Sequence, residues 1–349
     1  MAKTLVFGAS YGSLFATKLA AAGHDATLVC QRPTAELINR EGTKVLFPVK
    51  GGEPIEVASR TLPGAVRATT PAAADPAEYD LAVLAMQEPQ YGAAGVRELL
   101  DRVAKANVPC LSLMNMPPAP YLRRIGVPAE LAAGCYADPT VWQGFEANHM
   151  TLCSPDPQAF RPPEEKANVL QVRLPTNFKS ARFESDDHTR ILRTLETDIE
   201  KARYGDIELP VKLKVHDSVF VPLAKWAMLM AGNYRCIGKT DMRSIRDTVH
   251  EDLNASRAVY NWVVELCKSL GADEKDLVPF EKYAAAAQGL ASPSSAARAL
   301  FGGAPNIERV DRLVQGIAAQ KGMRNPVIDE IVSRVDARLE MNRKAAKAA

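Results

Sequence analysis

Within its first thirty residues the chain runs Thr4-Leu-Val-Phe-Gly8-Ala-Ser-Tyr-Gly12-Ser-Leu-Phe-Ala16, then on through Gly23-His24 to Ala26-Thr-Leu-Val-Cys30. The pattern predicts strand, glycine turn, helix, strand. Leu5, Val6 and Phe7 make a short apolar strand, Gly8 permits the sharp turn, and Leu14 to Ala22 is a strongly apolar helix that ends at Gly23, a natural C-terminal cap. A βαβ start of this kind favours a phosphate group against the helix N-terminus, where backbone N–H groups and the helix dipole both attract an anion. A strict G-x-G-x-x-G from Gly8 would need glycine at 10 and 13, where the chain has Ser10 and Ser13; its second glycine is Gly12.

The same apolar runs recur. Leu5–Phe7, Thr27–Cys30, Leu81–Ala85 and Cys110–Leu113 alternate with helical stretches over the first 113 residues, which predicts a parallel, doubly wound α/β sheet. Val45, Phe47, Ile55 and Val57 suggest an antiparallel ribbon around Gly51-Gly52. Residues 134–180 hold many prolines among pieces such as Met150–Cys153 and Leu170–Leu174, a mixed or antiparallel extension of the sheet. A polar helix over Asp187–Ala202 leads to a stretch that reads as helical from His216 onward, with Asp217 as an N-cap. The division expected is 1–210 for a Rossmann-like domain that binds a dinucleotide and 211–349 for a helical domain.

At 349 residues, 47% hydrophobic and 24% charged, the chain has an ordinary globular composition. A net charge of +2 gives no general field for nucleic acid or a membrane surface. The N-terminus enters a strand at once, so the expectation is a cytoplasmic protein without a signal peptide. Six scattered cysteines and five histidines show no metal-ligand spacing, and no metal is expected.

At the end of the second strand an acidic residue usually holds the ribose 2′-hydroxyl of NAD, whereas an arginine accommodates the 2′-phosphate of NADP. Here the chain has Cys30-Gln31-Arg32 with no carboxylate before Glu36, which favours NADP, Arg32 meeting the phosphate with Gln31 as a helper; a plain surface arginine is the other reading. Asp80 to Gln90 is a buried strand emptying into a loop, making Met86, Gln87 and Gln90 cofactor neighbours. Cys110–Met114 ends likewise at Asn115, which reads equally as a cofactor and substrate contact or as a turn former. In the helical half, Lys225 and Asn233 stand eight residues apart in an otherwise apolar helix, on one face two turns apart. A lysine there either snorkels or has chemical work.

Together these residues resemble the ketopantoate reductase (2-dehydropantoate 2-reductase) family, in which a Rossmann domain precedes an all-helical one. The glycine turn Gly8, Ser10, Tyr11, Gly12, Ser13 is similar to the family's with one residue removed. Gln87 stands where a lysine is usual. Asn115 matches the asparagine that serves substrate and cofactor, Lys225 the catalytic lysine, and Asn233 the second asparagine of its helix, the first being Leu229 here. Gly322-Met-Arg-Asn-Pro326 is similar to the family's G-V-P-T-P element, and counting back from it sets Ser294 at a substrate-binding serine and Asn306 at an acidic position. The resemblance implies an NADP-dependent reductase of a small 2-keto acid-type carbonyl, with Lys225 as proton donor, Asn115 orienting the carbonyl, and Asn233, Ser294 and Asn306 on the substrate side. It further implies a homodimer. An opine or β-hydroxyacid-type dehydrogenase and a non-catalytic NADP-binding protein remain alternatives.

Overall fold

The computed structural model describes residues 1–49 and 52–348. Strands are β1 (Lys3–Phe7), β2 (Asp25–Val29), β3 (Lys44–Phe47), β4 (Ile55–Ala58), β5 (Val66–Thr69), β6 (Leu81–Leu84), β7 (Cys110–Ser112), β8 (Met150–Ser154), β9 (Gln158–Phe160), β10 (Val169–Leu174), β11 (Phe178–Ala181) and β12 (Leu213–His216). Helices are α1 (Tyr11–Ala21), α2 (Arg32–Glu41), α3 (Val96–Lys105), α4 (Ala119–Arg124), α5 (Ala129–Ala133), α6 (Asp186–Lys201), α7 (Ala224–Met228), α8 (Ile245–His250), α9 (Leu253–Ser269), α10 (Phe280–Ala287), α11 (Ser295–Phe301), α12 (Val310–Gln320) and α13 (Pro326–Ala348). The chain forms two compact units: Met1–Met86, Gln90–Tyr121 and Thr140–Val219 make the first, and Gln87–Pro89, Leu122–Pro139 and Phe220–Ala349 the second.

In the first unit the main sheet runs β12-β11-β8-β7-β6-β1-β2-β5. From β5 to β8 all neighbours are parallel, and β11 reverses the direction before β12 pairs parallel with it. This is the doubly wound Rossmann order, in which the chain winds outward from β1 to β5 and then returns to add β6 on the other side of β1. The switch falls between β1 and β6, both buried along almost their whole length, as strands covered on both faces must be. Ten of the eleven residues of α1 are buried, and Phe15 meets Phe178 edge-on at 5.3 Å. The C-terminus of α1 closes as expected, with Gly23 at φ 83° and His24 N–H donating to the Leu19 carbonyl at 3.0 Å.

A second sheet, β4-β3-β10-β9, contains the expected antiparallel pair β3–β4; of the Gly51-Gly52 turn, Gly51 lies outside the described residues. The two strands expected to extend the main sheet part company. β8, buried throughout, joins it beside β7, whereas β10 buries Val169, Leu170 and Val172, exposes Arg173, and pairs parallel with β3. Asp217 is not an N-cap: its carboxylate takes the Arg193 guanidinium at 2.9 Å, because the helical chain begins only at a 3₁₀ turn over Val221–Leu223, with Pro222 inside it.

The second unit is helical throughout its described residues apart from loops and one isolated bridge between Ile237 and Met242, with α9 against α7 and α13 against both α11 and α12. An ion network of the buried Asp311 and Arg309 with the half-buried Asp336 joins the start of α12 to α13. Among the described residues no helix is long and apolar enough to cross a membrane.

Candidate active site

Four sequence-predicted groups of the first unit lie at the carboxyl ends of adjacent parallel strands: Arg32 after β2, the glycine turn after β1, Met86 after β6 and Asn115 after β7. Gly8 has φ 96°, and a Cβ there would come within 2.7 Å of Met86 Cγ and 3.1 Å of the Ala85 carbonyl. Gly12 is needed for a different reason: its Cβ would sit 2.7 Å from Val6, so only glycine lets α1 lie this close to β1. No side chain caps the N-terminus of α1 and its first turn holds no carboxylate. These features fit a pyrophosphate.

The serines of the turn divide their roles. Ser13 is buried, and its hydroxyl donates to the Ser10 carbonyl at 2.7 Å, bracing the turn; Ser10 is exposed. Tyr11 donates to the Pro157 carbonyl at 2.8 Å and packs edge-on against Phe178, tying the turn to the segment between β8 and β9; burial raises its phenol, helped by Cys153 and Asp156. Gln31 is the residue before α2 and makes no side-chain cap, leaving its amide to other partners. The half-buried Cys30 thiol is pushed up to about 11 by burial, while the charge of Arg161 pulls it down. Arg161 thus adds a second guanidinium near the end of β2. It follows β9, some 130 positions from Arg32, which is why periodicity and spacing did not reveal it.

Met86 N–H donates to the Tyr91 hydroxyl at 3.1 Å. Gln87 belongs to the second unit, beside Glu88, whose carboxylate accepts from Ala137 N–H at 3.1 and 3.2 Å. Burial pushes Glu88 up to about 8, against the Ala137 and Asp138 amides that hold it down and with Glu308 adding to the rise. Gln90 is exposed and Asn115 half-buried, the latter just before Met116, Pro117 and Pro118.

In the second unit Lys225 stands in α7 and is half-buried, as is Asn233. The helix is not uniform: after Met228 it opens into a π-helical turn over Leu229–Asn233. Ser294 is brought to Asn233, donating to its backbone carbonyl at 2.6 Å while capping α11 through Ala297 N–H at 3.1 Å. Its hydroxyl, 2% exposed as a residue, is therefore committed to backbone on both sides. Asn306 is exposed and accepts from Arg343 at 2.9 Å, away from that group. Glu308 is buried, and its carbonyl accepts the Tyr234 hydroxyl. Among the described residues no cluster of three or more potential metal ligands occurs.

Residues 5–130, which contain the glycine turn, Arg32, Met86 and Asn115, match the family model of ketopantoate reductase PanE/ApbA. The chain resembles the ketopantoate reductases. No curated protein matches it. Among solved structures, D-mandelate dehydrogenase with NADH and anilino(oxo)acetate is 13% identical, with 98% of this chain and 99% of that one covered at a TM-score of 0.64. The probable 2-dehydropantoate 2-reductase from Bacillus subtilis is 15% identical, with 96% and 99% covered and a TM-score of 0.61. A dimeric ketopantoate reductase from Staphylococcus aureus is 11% identical, with 97% and 99% covered and a TM-score of 0.58. At such identities the structural likeness shows the fold alone. The ketopantoate reductase family match itself stops short of Lys225 and Asn233.

Proposed function

We propose that the protein is an NADP-dependent reductase of a 2-keto acid-type carbonyl, ketopantoate or a related compound. The observation that carries this reading is the convergence of the Gly8 turn, Arg32, Met86 and Asn115 at the carboxyl ends of four neighbouring parallel strands. In doubly wound sheets a dinucleotide lies outside that edge at the switch between the two halves. NADPH would supply the hydride. The N-terminus of α1 would hold the pyrophosphate, and Arg32 the 2′-phosphate, with Gln31 at its side. Met86, Gln87 and Gln90 would flank the cofactor.

Asn115 would hydrogen-bond and orient the carbonyl. The Lys225 ammonium would polarise its oxygen and protonate it as negative charge develops there. Asn233 would hold the remainder of the substrate, with Ser294 acting through the Asn233 backbone. A homodimer is proposed by likeness to the dimeric Staphylococcus aureus enzyme. Gln87, Leu229 and Asn306 depart from the resemblance, which favours as a second reading a different 2-keto acid or an opine-type substrate.

The test is consumption of NADPH with ketopantoate and with a panel of 2-keto acids, alongside calorimetric titration of NADPH and NADH. Turnover with tighter NADPH binding is expected. Failure to bind either nicotinamide would defeat the reading.

A further inference from the structure

The turn after Met228 changes which residues share a face with Lys225. Tyr234 N–H donates to the Leu229 carbonyl at 2.9 Å, five residues back instead of four. A turn of this kind absorbs one extra residue. The spacing of eight does not by itself set both residues on one face, contrary to the expectation from sequence: eight α-helical steps of about 100° would leave Asn233 about 80° round the helix from Lys225, whereas seven effective steps leave it about 20° away. Exposure follows the slipped phase. Lys225, Met228 and Asn233 are half-buried, while Leu229, Met230, Ala231 and Gly232 between them are all buried; an unbroken helix would have turned residue 232 outward.

Side chains from elsewhere in the unit hold the wide turn. Tyr283 of α10, 5% exposed and stacked on Tyr260 at 5.3 Å, donates its hydroxyl to the Met228 carbonyl at 3.1 Å. Gly232 makes room for that hydroxyl, since a Cβ there would lie 2.1 Å from it and 3.0 Å from Ile245. Arg235 donates to the Ala231 carbonyl at 3.1 Å and to Ser256 at 2.8 Å. Ser294 and Cys236 both donate to the Asn233 carbonyl, at 2.6 and 3.0 Å. Backbone carbonyls along and beside the turn are thus satisfied by side chains, which is what a departure from the α-helical ladder requires.

We propose that Tyr283 is a positioning residue: packed into the space left by Gly232, it holds the wide turn that brings Asn233 onto the Lys225 face of the helix. The inference rests on the roles given above to Lys225 and Asn233. Tyr283 has no contact with substrate or cofactor to make and acts through the Met228 carbonyl alone.

The experiment is a double-mutant cycle of Tyr283→Phe and Asn233→Ala, read by kcat/KM for ketopantoate with NADPH and by NADPH affinity, together with a crystal structure of Tyr283→Phe. The expected result is a loss of about tenfold in kcat/KM for Tyr283→Phe, an equal or larger loss for Asn233→Ala, no further loss in the double variant, and NADPH affinity within about twofold throughout. The crystal structure should show Met228 O bonded to Gly232 N, the wide turn having closed to an ordinary helix. Losses that multiply in the double variant, or a wide turn unchanged in Tyr283→Phe, would overturn the inference. If the wild-type protein turns over no 2-keto acid, the proposed function fails, and the crystal structure still decides whether Tyr283 holds the turn.

Discussion

Lys18 in α1 and Lys225 in α7 are alike in sequence: each is the single cation of an apolar helix. Their surroundings differ. Lys18 is 1% exposed, and its Nζ donates to the Leu209 and Pro210 carbonyls at 3.1 and 3.0 Å. Burial pushes its amine down to about 7, with Lys212 adding to the fall and Glu208 opposing it. Two acceptors suit a neutral amine, which has two N–H bonds to give. Lys225 is half-buried and shares its helix face with Met228 and Asn233. A lysine in an apolar helix is therefore no mark of catalysis by itself. The groups within reach of the nitrogen decide between a strut that ties α1 to the chain ahead of β12 and a candidate acid.

Exchanging the two lysines' fates is the strongest way to break this contrast. Lys225→Ala should lower turnover by about 10²–10⁴-fold, the range for losing a positioned general acid, and leave the melting temperature nearly unchanged. Lys18→Met should leave turnover largely intact. Equal losses of activity in both variants would erase the distinction.

Arg32→Ala comes next in size. Loss of charge-assisted hydrogen bonds worth about 1.5–3 kcal/mol should weaken NADPH by about 10- to 100-fold, with NADH affinity unchanged, as measured by calorimetry. A parallel loss for NADH would assign Arg32 to the fold instead of the 2′-phosphate.

Lys18→Met should cost about 1–3 kcal/mol by leaving two carbonyls without their donor, read from denaturant melts near pH 9. The pH dependence sharpens the point. The folded-state value of Lys18, about 7, lies below its ordinary 10.5. Between those limits the unfolded chain holds the extra proton, so the stability contributed by Lys18 grows with pH and is lost as pH falls toward 7. The slope is at most about 1.4 kcal/mol per pH unit.

Glu88 supplies the opposite sign in the second unit. Its folded value of about 8 lies above the ordinary 4.5, so its contribution is present at low pH and lost as pH rises from 4.5 to 8. Relative to Glu88→Gln, the wild-type protein should lose stability across that window, with the same limiting slope. A flat difference would mean that Glu88 titrates like an exposed carboxylate.

The doubly wound half was legible because its signals are local. Gly8 must take a positive φ, Leu81–Leu84 is buried on both faces, and Gly23 ends α1 where the apolar run ends. The site edge was legible for the same reason, since Arg32, Met86 and Asn115 follow directly on strands that the apolar runs announce. What escaped depends on residues distant in the chain. Arg161 reaches the end of β2 from beyond β9, and the second sheet forms because β10 finds β3 across more than 120 residues. The widened turn before Asn233 is set by Tyr283, fifty residues downstream, and only Gly232 hinted at it locally. The hydroxyls of Ser13 and Ser294 could be assigned to backbone only once their partners were in place.

The most direct test of the central claim is to follow reduced-nicotinamide absorbance with NADPH and ketopantoate in the wild-type protein and in Lys225→Ala, with NADPH binding measured on both by calorimetry. NADPH consumption matched to substrate is expected in the wild type, with its near-abolition in Lys225→Ala and NADPH affinity retained by the variant. Turnover that survives Lys225→Ala would contradict the mechanism, and absence of binding to either nicotinamide would contradict the function.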